Sequence, residues 1–241
     1  MGENDVIGRD EAQERTVPVD LRLYGILDTG VCGTDPARLA ALAAAAARGG
    51  CTLLQYREKT IADARAALAR IRTIHAALAG SGVPLLVNDR VDLALAAGVE
   101  GVHLGQSDLH PAEARRLLGR GAIVGLTLKT GAQADETYRL PVDYACIGGV
   151  FATASKDNPD PPVGLDGLGR ILFRGRLARG QGFPIGAIAG IDSSNAAAVI
   201  GAGADGVAVI SALFAGEGVE ARARDLRHRV DAALAGRGIT R

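Results

Sequence analysis

Beyond residue 20 the chain alternates short apolar runs with longer stretches whose apolar positions recur at helical spacing. The runs are 21–27, 52–56, 84–87, 101–104, 123–128, 143–147, 184–188 and 206–210. A strand exposed on one side would alternate apolar with polar. These runs are nearly continuous, which predicts parallel strands buried on both faces. Between them lie Ala/Leu/Arg-rich stretches, such as 35–48, 61–79 and 193–201, that predict helices. Asp35-Pro36 predicts an N-cap with proline in the first helical position, and Asp192 or Ser193 predicts another cap. Gly49-Gly50 and Gly201 predict helix stops.

Eight strand–helix units point to a (β/α)₈ TIM barrel, with residues 21–241 as one catalytic domain. An open doubly wound sheet would want Gly-x-Gly-x-x-Gly after its first strand, and Asp28-Thr-Gly-Val-Cys-Gly33 lacks that spacing. Residues 1–20 are polar and without periodicity. They predict a flexible N-terminal extension, not a secretory signal. Ala97-Gly-Val-Glu-Gly-Val102 echoes Ala202-Gly-Ala-Asp-Gly-Val207, half a barrel apart. Two half-barrels of common origin would explain the echo, and so would a connector that suits any helix-to-strand passage. The longest unpatterned stretch, 150–162, is rich in Pro, Asn and Asp. A loop of that length in a compact domain is usually functional.

In such a barrel the chemistry sits at the C-terminal ends of the strands. Gln55, Arg57 and Lys59 alternate along the second strand and so project to one face, where two cations and an amide suit a phosphate or diphosphate. The third strand ends in Asn88-Asp89, and the loop after the fourth carries Asp108. Singly each Asp reads as a helix cap. Beside the cationic second strand, the pair reads as a Mg²⁺ site that shares the metal with substrate phosphates. Thr127 and Lys129 share a face at the end of the fifth strand. Thr153, Ser155 and Lys156 after the sixth suit a second anion. Gly190, Ile210 and Ser211 fall in the loops after strands seven and eight, where barrels of this kind recurrently bind phosphate.

Composition sharpens this. The chain has 241 residues, 48% hydrophobic and 22% charged, so it is neither disordered nor fibrous. No apolar run reaches the ~18 residues that cross a bilayer, which predicts no membrane partner. Basic and acidic residues balance at 27 each, and aromatics are 3%. That predicts no nucleic-acid partner, by charge or by base stacking. The 27 basic residues divide into 24 Arg and only three Lys: Lys59, Lys129 and Lys156. All three fall at predicted strand ends on the mouth, where a compact point charge with three donors differs from a planar fork. Cys32, Cys51 and Cys146 form no disulfide or zinc spacing and suit a reducing cytoplasm. The four histidines show no partner pattern, and Lys129 has no assigned role. The sequence admits a homo-oligomer without requiring one.

Two anion sites flanking a dicarboxylate metal site describe an enzyme that joins two phosphorylated small molecules. A clamped diphosphate meeting Mg²⁺ is then a leaving group. The motifs Gln55-Tyr-Arg-Glu-Lys59, Asn88-Asp89, His103-Leu-Gly-Gln-x-Asp108, Gly125-x-Thr127, Thr153-x-Ser155-Lys156, Ala189-Gly-Ile191 and Ile210-Ser211 together resemble the thiamine phosphate synthase (thiamine monophosphate pyrophosphorylase) family over about residues 21–215. The resemblance implies condensation of hydroxymethylpyrimidine diphosphate with hydroxyethylthiazole phosphate, giving thiamine phosphate and diphosphate. It implies that Gln55, Arg57, Lys59, Asn88, Thr127 and Lys156 hold the pyrimidine diphosphate, Asp89 and Asp108 the Mg²⁺, and Thr153, Ser155, Gly190, Ile210 and Ser211 the thiazole phosphate. It also implies a dissociative path without a general base. The chain departs from the family pattern at Thr127 (usually Ser), at Ala152-Thr-Ala-Ser155 (usually Pro-Thr-x-Thr), at Ala189 (usually Gly) and at Lys129 (often His). The rival readings are a thiazole tautomerase-like paralogue and a non-catalytic barrel that binds a phosphorylated ligand. Neither needs both metal carboxylates and a leaving-group clamp.

Overall fold

A computed structural model describes residues 18–153 and 161–239. In it eight parallel strands close into a barrel in sequence order, β8 pairing back onto β1. The strands are β1 Leu23–Asp28, β2 Leu53–Arg57, β3 Leu85–Asn88, β4 Gly101–Leu104, β5 Ile123–Leu128, β6 Tyr144–Ile147, β7 Ile185–Ile188 and β8 Val207–Val209. Helices α1 Thr29–Cys32 and α2 Pro36–Arg48 follow β1, and α3 Ala64–Ala77, α4 Val91–Ala97 and α5 Pro111–Leu118 follow the next three strands. Then come α6 Gly131–Glu136, α7 Gly164–Arg179 and α8 Ala196–Gly201 after β5, β6 and β7. Helices α9 Ser211–Phe214 and α10 Val219–Gly236 follow β8. The expected TIM barrel is the architecture found. No described helix is long and apolar enough to cross a membrane.

The continuous apolar runs have a simple cause. One parity of each strand fills the barrel interior, including Tyr24, Ile26, Leu53, Leu86, Ile123, Tyr144, Cys146 and Ala208. The other parity, such as Leu23, Leu54, Leu85 and Val102, packs outward against the helices. Strand starts fall up to two residues later than the apolar runs begin. Pro84 and Pro184 have no N–H to enter the ladder, though their carbonyls accept from Leu54 and Ala145.

The echoed segments have a physical role. Glu100 accepts the N–H of Leu85 at the start of β3 (2.8 Å), and Asp205 accepts that of Ile185 at the start of β7 (2.8 Å). Asp143 does the same for Val124 in β5 (2.7 Å), and Thr52 for Leu23 in β1 (3.1 Å). The residue entering each even strand thus satisfies the orphan donor of the odd strand before it. Gly101 and Gly206 follow the echoed acids, and a side chain at either would collide with the backbone of Ile123 or Leu21.

The caps differ in part from expectation. Asp35 caps α2 by accepting from Arg38 N–H (2.7 Å), with Pro36 first in the helix. Helix α3 begins at Ala64 behind Asp63, not at residue 61. The expected cap of α8 at Asp192 or Ser193 is corrected to Asn195. Asp192 closes a local turn instead, accepting from the N–H and hydroxyl of Ser194. Packing starts ahead of β1, where Val19 and Leu21 are buried at the N-terminal end of the barrel. Of the expected extension, residues 1–17 lie outside the described residues.

Candidate active site

The C-terminal ends of the strands open into a cavity of about 700 Å³. Its wall includes eight of the residues expected to bind substrate: Gln55, Arg57, Asn88, Thr127, Thr153, Gly190, Ile210 and Ser211. Lys59, Asp89 and Asp108 do not line it; they gather at its rim on the loops after β2, β3 and β4. Ser155 and Lys156 lie outside the described residues.

On β2 the parity places Leu53, Gln55 and Arg57 inward and Leu54 and Tyr56 outward. Arg57 is buried in an ion pair with Asp28, the last residue of β1, which also accepts from Gly30 N–H (2.9 Å). Asp28 therefore fixes the guanidinium that the sequence assigns to an anion. Behind the strand, Tyr56 donates to Glu58, and Arg70 donates to both Tyr56 (2.9 Å) and Glu58 (2.8 Å). This clamp anchors the turn that carries Lys59, whose own side chain is exposed and lies 3.6 Å from the Asp89 carboxylate.

Asp89 is not a helix cap, since the cap of α4 is Arg90; nor is Asp108, since the cap of α5 is His110. Asp89 holds a φ of 60°, a left-handed conformation that Asp tolerates. Burial, reinforced by a hydrogen bond and repulsion from Asp108, pushes its pKa up to about 6; Lys59 and Asn88 oppose this. Asp108 also accepts from Gly105 N–H (2.6 Å). Two carboxylates this close share a proton or a cation, so their oxygen chemistry fits a hard divalent ion. Among the described residues no cluster of three or more His, Cys, Asp or Glu side chains could hold a metal.

At the inner end of the cavity lies a polar group that sequence reasoning missed. Gln55 donates to the Tyr24 hydroxyl, and the Tyr144 hydroxyl donates to it as well (3.1 Å). His103 Nδ1 lies 2.7 Å from the Tyr144 hydroxyl, and its Nε2 lies 2.8 Å from Thr127 Oγ1. Cys146 also lines this end, and burial pushes its thiol up to about 12. Lys129 lines the outer wall.

On the opposite side, Gly190 has a φ of 64°, and a side chain there would strike the Ala152 carbonyl. Its neighbour Ala189 holds a φ of 94°. Asn195 pins this loop, donating to the Gly190 carbonyl (2.9 Å) and accepting from Asp192 N–H (3.0 Å). Ser211 opens α9 beside Ile210. The strand-end rule could have found Asp28, which is a carboxylate closing a strand. Nothing local marks Tyr24 or Tyr144.

Comparison with known proteins adds the family context. The family model described as thiamine monophosphate synthase matches residues 23–213. A thiamine-phosphate synthase of Agrobacterium fabrum is 50% identical over 220 residues, covering 91% of this chain and 98% of the relative. One of Albidiferax ferrireducens is 42% identical, covering 88% of this chain and 93% of the relative. Among solved structures, a thiamine phosphate pyrophosphorylase from Pyrococcus furiosus superposes with a TM-score of 0.76 at 30% identity, covering 90% of this chain and 98% of that one.

Proposed function

The chain belongs to the thiamine monophosphate synthase family, and on that premise we propose that it joins 4-amino-2-methyl-5-hydroxymethylpyrimidine diphosphate to 4-methyl-5-(2-hydroxyethyl)thiazole phosphate, releasing diphosphate. The observation that carries the reading is one continuous cavity with Asp28-held Arg57 on one side and the Gly190–Ser211 edge on the other. A single guanidinium fixed at an inner wall suits a permanent anion. A glycine-built edge facing it, across room for two small rings, suits a second phosphate.

In this reading Arg57, Lys59 and Lys156 hold the diphosphate and stabilise the charge that grows on it as the methylene carbon–oxygen bond breaks. Gln55, Asn88 and Thr127 orient the pyrimidine, whose electron-rich ring carries the positive charge left on the methylene. Thr153, Ser155, Gly190, Ile210 and Ser211 hold the thiazole phosphate so that the ring nitrogen faces that carbon and forms the new bond. No proton has to be removed from the nucleophile. The described carboxylates of the mouth are each engaged elsewhere: Asp28 pairs with Arg57, Asp192 accepts from Ser194, and Asp89 meets Lys59 and Asp108. Asp89 and Asp108 would hold Mg²⁺, which when bound supplies further neutralisation of the leaving diphosphate. The partners are two small phosphorylated molecules. The three cysteines, all free and buried, suit a cytoplasmic setting.

The test is diphosphate release by purified protein with Mg²⁺ and both substrates, each omitted in turn. Release that requires all three, with thiamine phosphate formed in step, supports the synthase. Tight binding of the thiazole phosphate without diphosphate release would overturn it in favour of a tautomerase-like or non-catalytic barrel.

A further inference from the structure

We propose that Tyr24, Tyr144 and His103 form a positioning column that sets Gln55 and Thr127 as hydrogen-bond acceptors, so that the cavity selects a ring bearing an amino group over its hydroxy counterpart. The proposal rests on the pyrimidine reading above and names what decides that ring's identity.

Barrel interiors of this kind are mostly filled with layers of branched aliphatic side chains. Here one layer is polar. His103, Gly125 and Tyr144 are level in the pairing register of β4, β5 and β6, and Asn88 of β3 is level with them. Gly125 makes the arrangement possible, because any side chain there would overlap the Tyr144 ring. The Tyr24 and Tyr144 rings meet edge to face with centroids 6.0 Å apart, and the His103 ring lies 5.5 Å from that of Tyr144. Both tyrosines are fully buried. Burial pushes both phenols up, so they remain hydroxyls with one proton each.

One proton per hydroxyl gives the column a direction. In the proposed column the Tyr144 hydroxyl, 3.1 Å from that of Tyr24, donates to it and so accepts from His103. In that direction the 2.7 Å contact to His103 takes the proton on Nδ1. The column as proposed carries a single imidazole proton, so Nε2 is the acceptor for the Thr127 hydroxyl at 2.8 Å. The Thr127 proton is thus turned into the column, leaving its lone pairs for the cavity. At the other end Gln55 turns its amide nitrogen to Tyr24, which leaves its carbonyl oxygen for a ligand. Gln55 and Thr127 both line the cavity. Two acceptors fixed from behind suit a ring edge with N–H donors. A hydroxy ring in its oxo form would set an acceptor against acceptors that cannot rotate to donate, and a site built this way discriminates strongly.

The test compares kcat/KM for the aminopyrimidine diphosphate with that for the analogue carrying hydroxyl in place of the amino group. In the unmodified protein the amino compound should be favoured by at least roughly 100-fold. Tyr144→Phe removes the acceptor that holds the proton on Nδ1, which lets Thr127 donate as well as accept. The preference should then fall by about tenfold or more, with KM for the thiazole phosphate changed less than about twofold. An equal loss for both pyrimidines, with the preference intact, would show a merely structural role and overturn the proposal. Should Tyr144→Phe fail to fold, nitrogen NMR of the unmodified protein, with His103 assigned by His103→Gln, decides the same point. A protonated Nδ1 with bare Nε2 supports the column, and a proton on Nε2 overturns it. If the unmodified protein turns over neither pyrimidine, the functional reading fails, while the imidazole spectrum still judges the column.

Discussion

Ala189 holds a φ of 94° with a methyl group that only strains it. The left-handed region costs an L-residue roughly 1–2 kcal/mol, while glycine enters it freely at about 0.4–1 kcal/mol of unfolded-state entropy. Ala189→Gly should therefore leave Tm level or raise it by up to a few °C in a calorimetric scan. Asp28 acts through its neighbour. With Asp28→Ala, Arg57 loses its buried partner, which would loosen its proposed hold on the diphosphate. A misplacement of about 1 Å can cost on the order of 100-fold, so kcat/KM for the pyrimidine diphosphate should fall by roughly that factor in steady-state assays. Asp89 carries a pH dependence. Its folded pKa of about 6 lies above the ordinary 3.8, so the folded state binds this proton more tightly than the unfolded chain does. The stability gained is full below the ordinary pKa and is lost as pH rises through about 6. A cation that replaces the proton should raise Tm at about pH 7.5 and have little effect near pH 5. Asp89→Asn should abolish that Mg²⁺ response in thermal melts.

Among elements, the strand entries decide how the barrel is pinned at its base. Asp205 accepts the Ile185 N–H and is itself held by Arg176 (2.9 Å). Asp205→Ala leaves a strand donor unpaired and should cost about 1–3 kcal/mol in denaturant unfolding, with kcat unchanged because the mouth lies at the other strand end. This role also explains the sequence echo without any appeal to common origin: an acid followed by glycine is what the closely packed entry to β4 and β8 requires. The eight strands were legible because helices cover one face of each and the barrel interior buries the other, which leaves an unbroken apolar run. The cap of α8 was misread because Asn195 serves the Gly190 loop, a contact that no local pattern shows. The charged strand ends were legible because parity along one strand places Gln55 and Arg57 together. The Tyr24–Tyr144–His103 column was not, because it joins β1, β6 and β4 across the interior. Neither tyrosine, read in its own strand, differs from an ordinary core residue.

For the whole molecule, the barrel separates what holds it closed from what it does. The polar layer with His103 and Tyr144 divides the interior. Above it lies the cavity, and below it Val19, Leu21, Leu53, Leu86 and Ile123 belong to the apolar cluster that fills the base. Leu21 seals that base: it is 3% exposed, its side chain lies against Gly186, and Gly206 lets its backbone approach β8. Leu21→Ala would remove buried methyl groups where the barrel closes on itself and the backbone cannot collapse inward to fill the gap. The loss should reach about 2–5 kcal/mol in denaturant unfolding. Because β1 also delivers Asp28 to Arg57, a rival expectation exists: slack at the base could travel up the strand to the mouth. The β1 ladder opposes this, since Tyr24 to Asp28 pair in unbroken register with Leu53 to Arg57. Five consecutive pairs hold the upper strand whatever happens below it. Below its own, lowered Tm, Leu21→Ala should therefore keep kcat/KM within about twofold of the unmodified protein. A larger loss at a temperature where the variant is fully folded would show that the base of the barrel sets the geometry of the site.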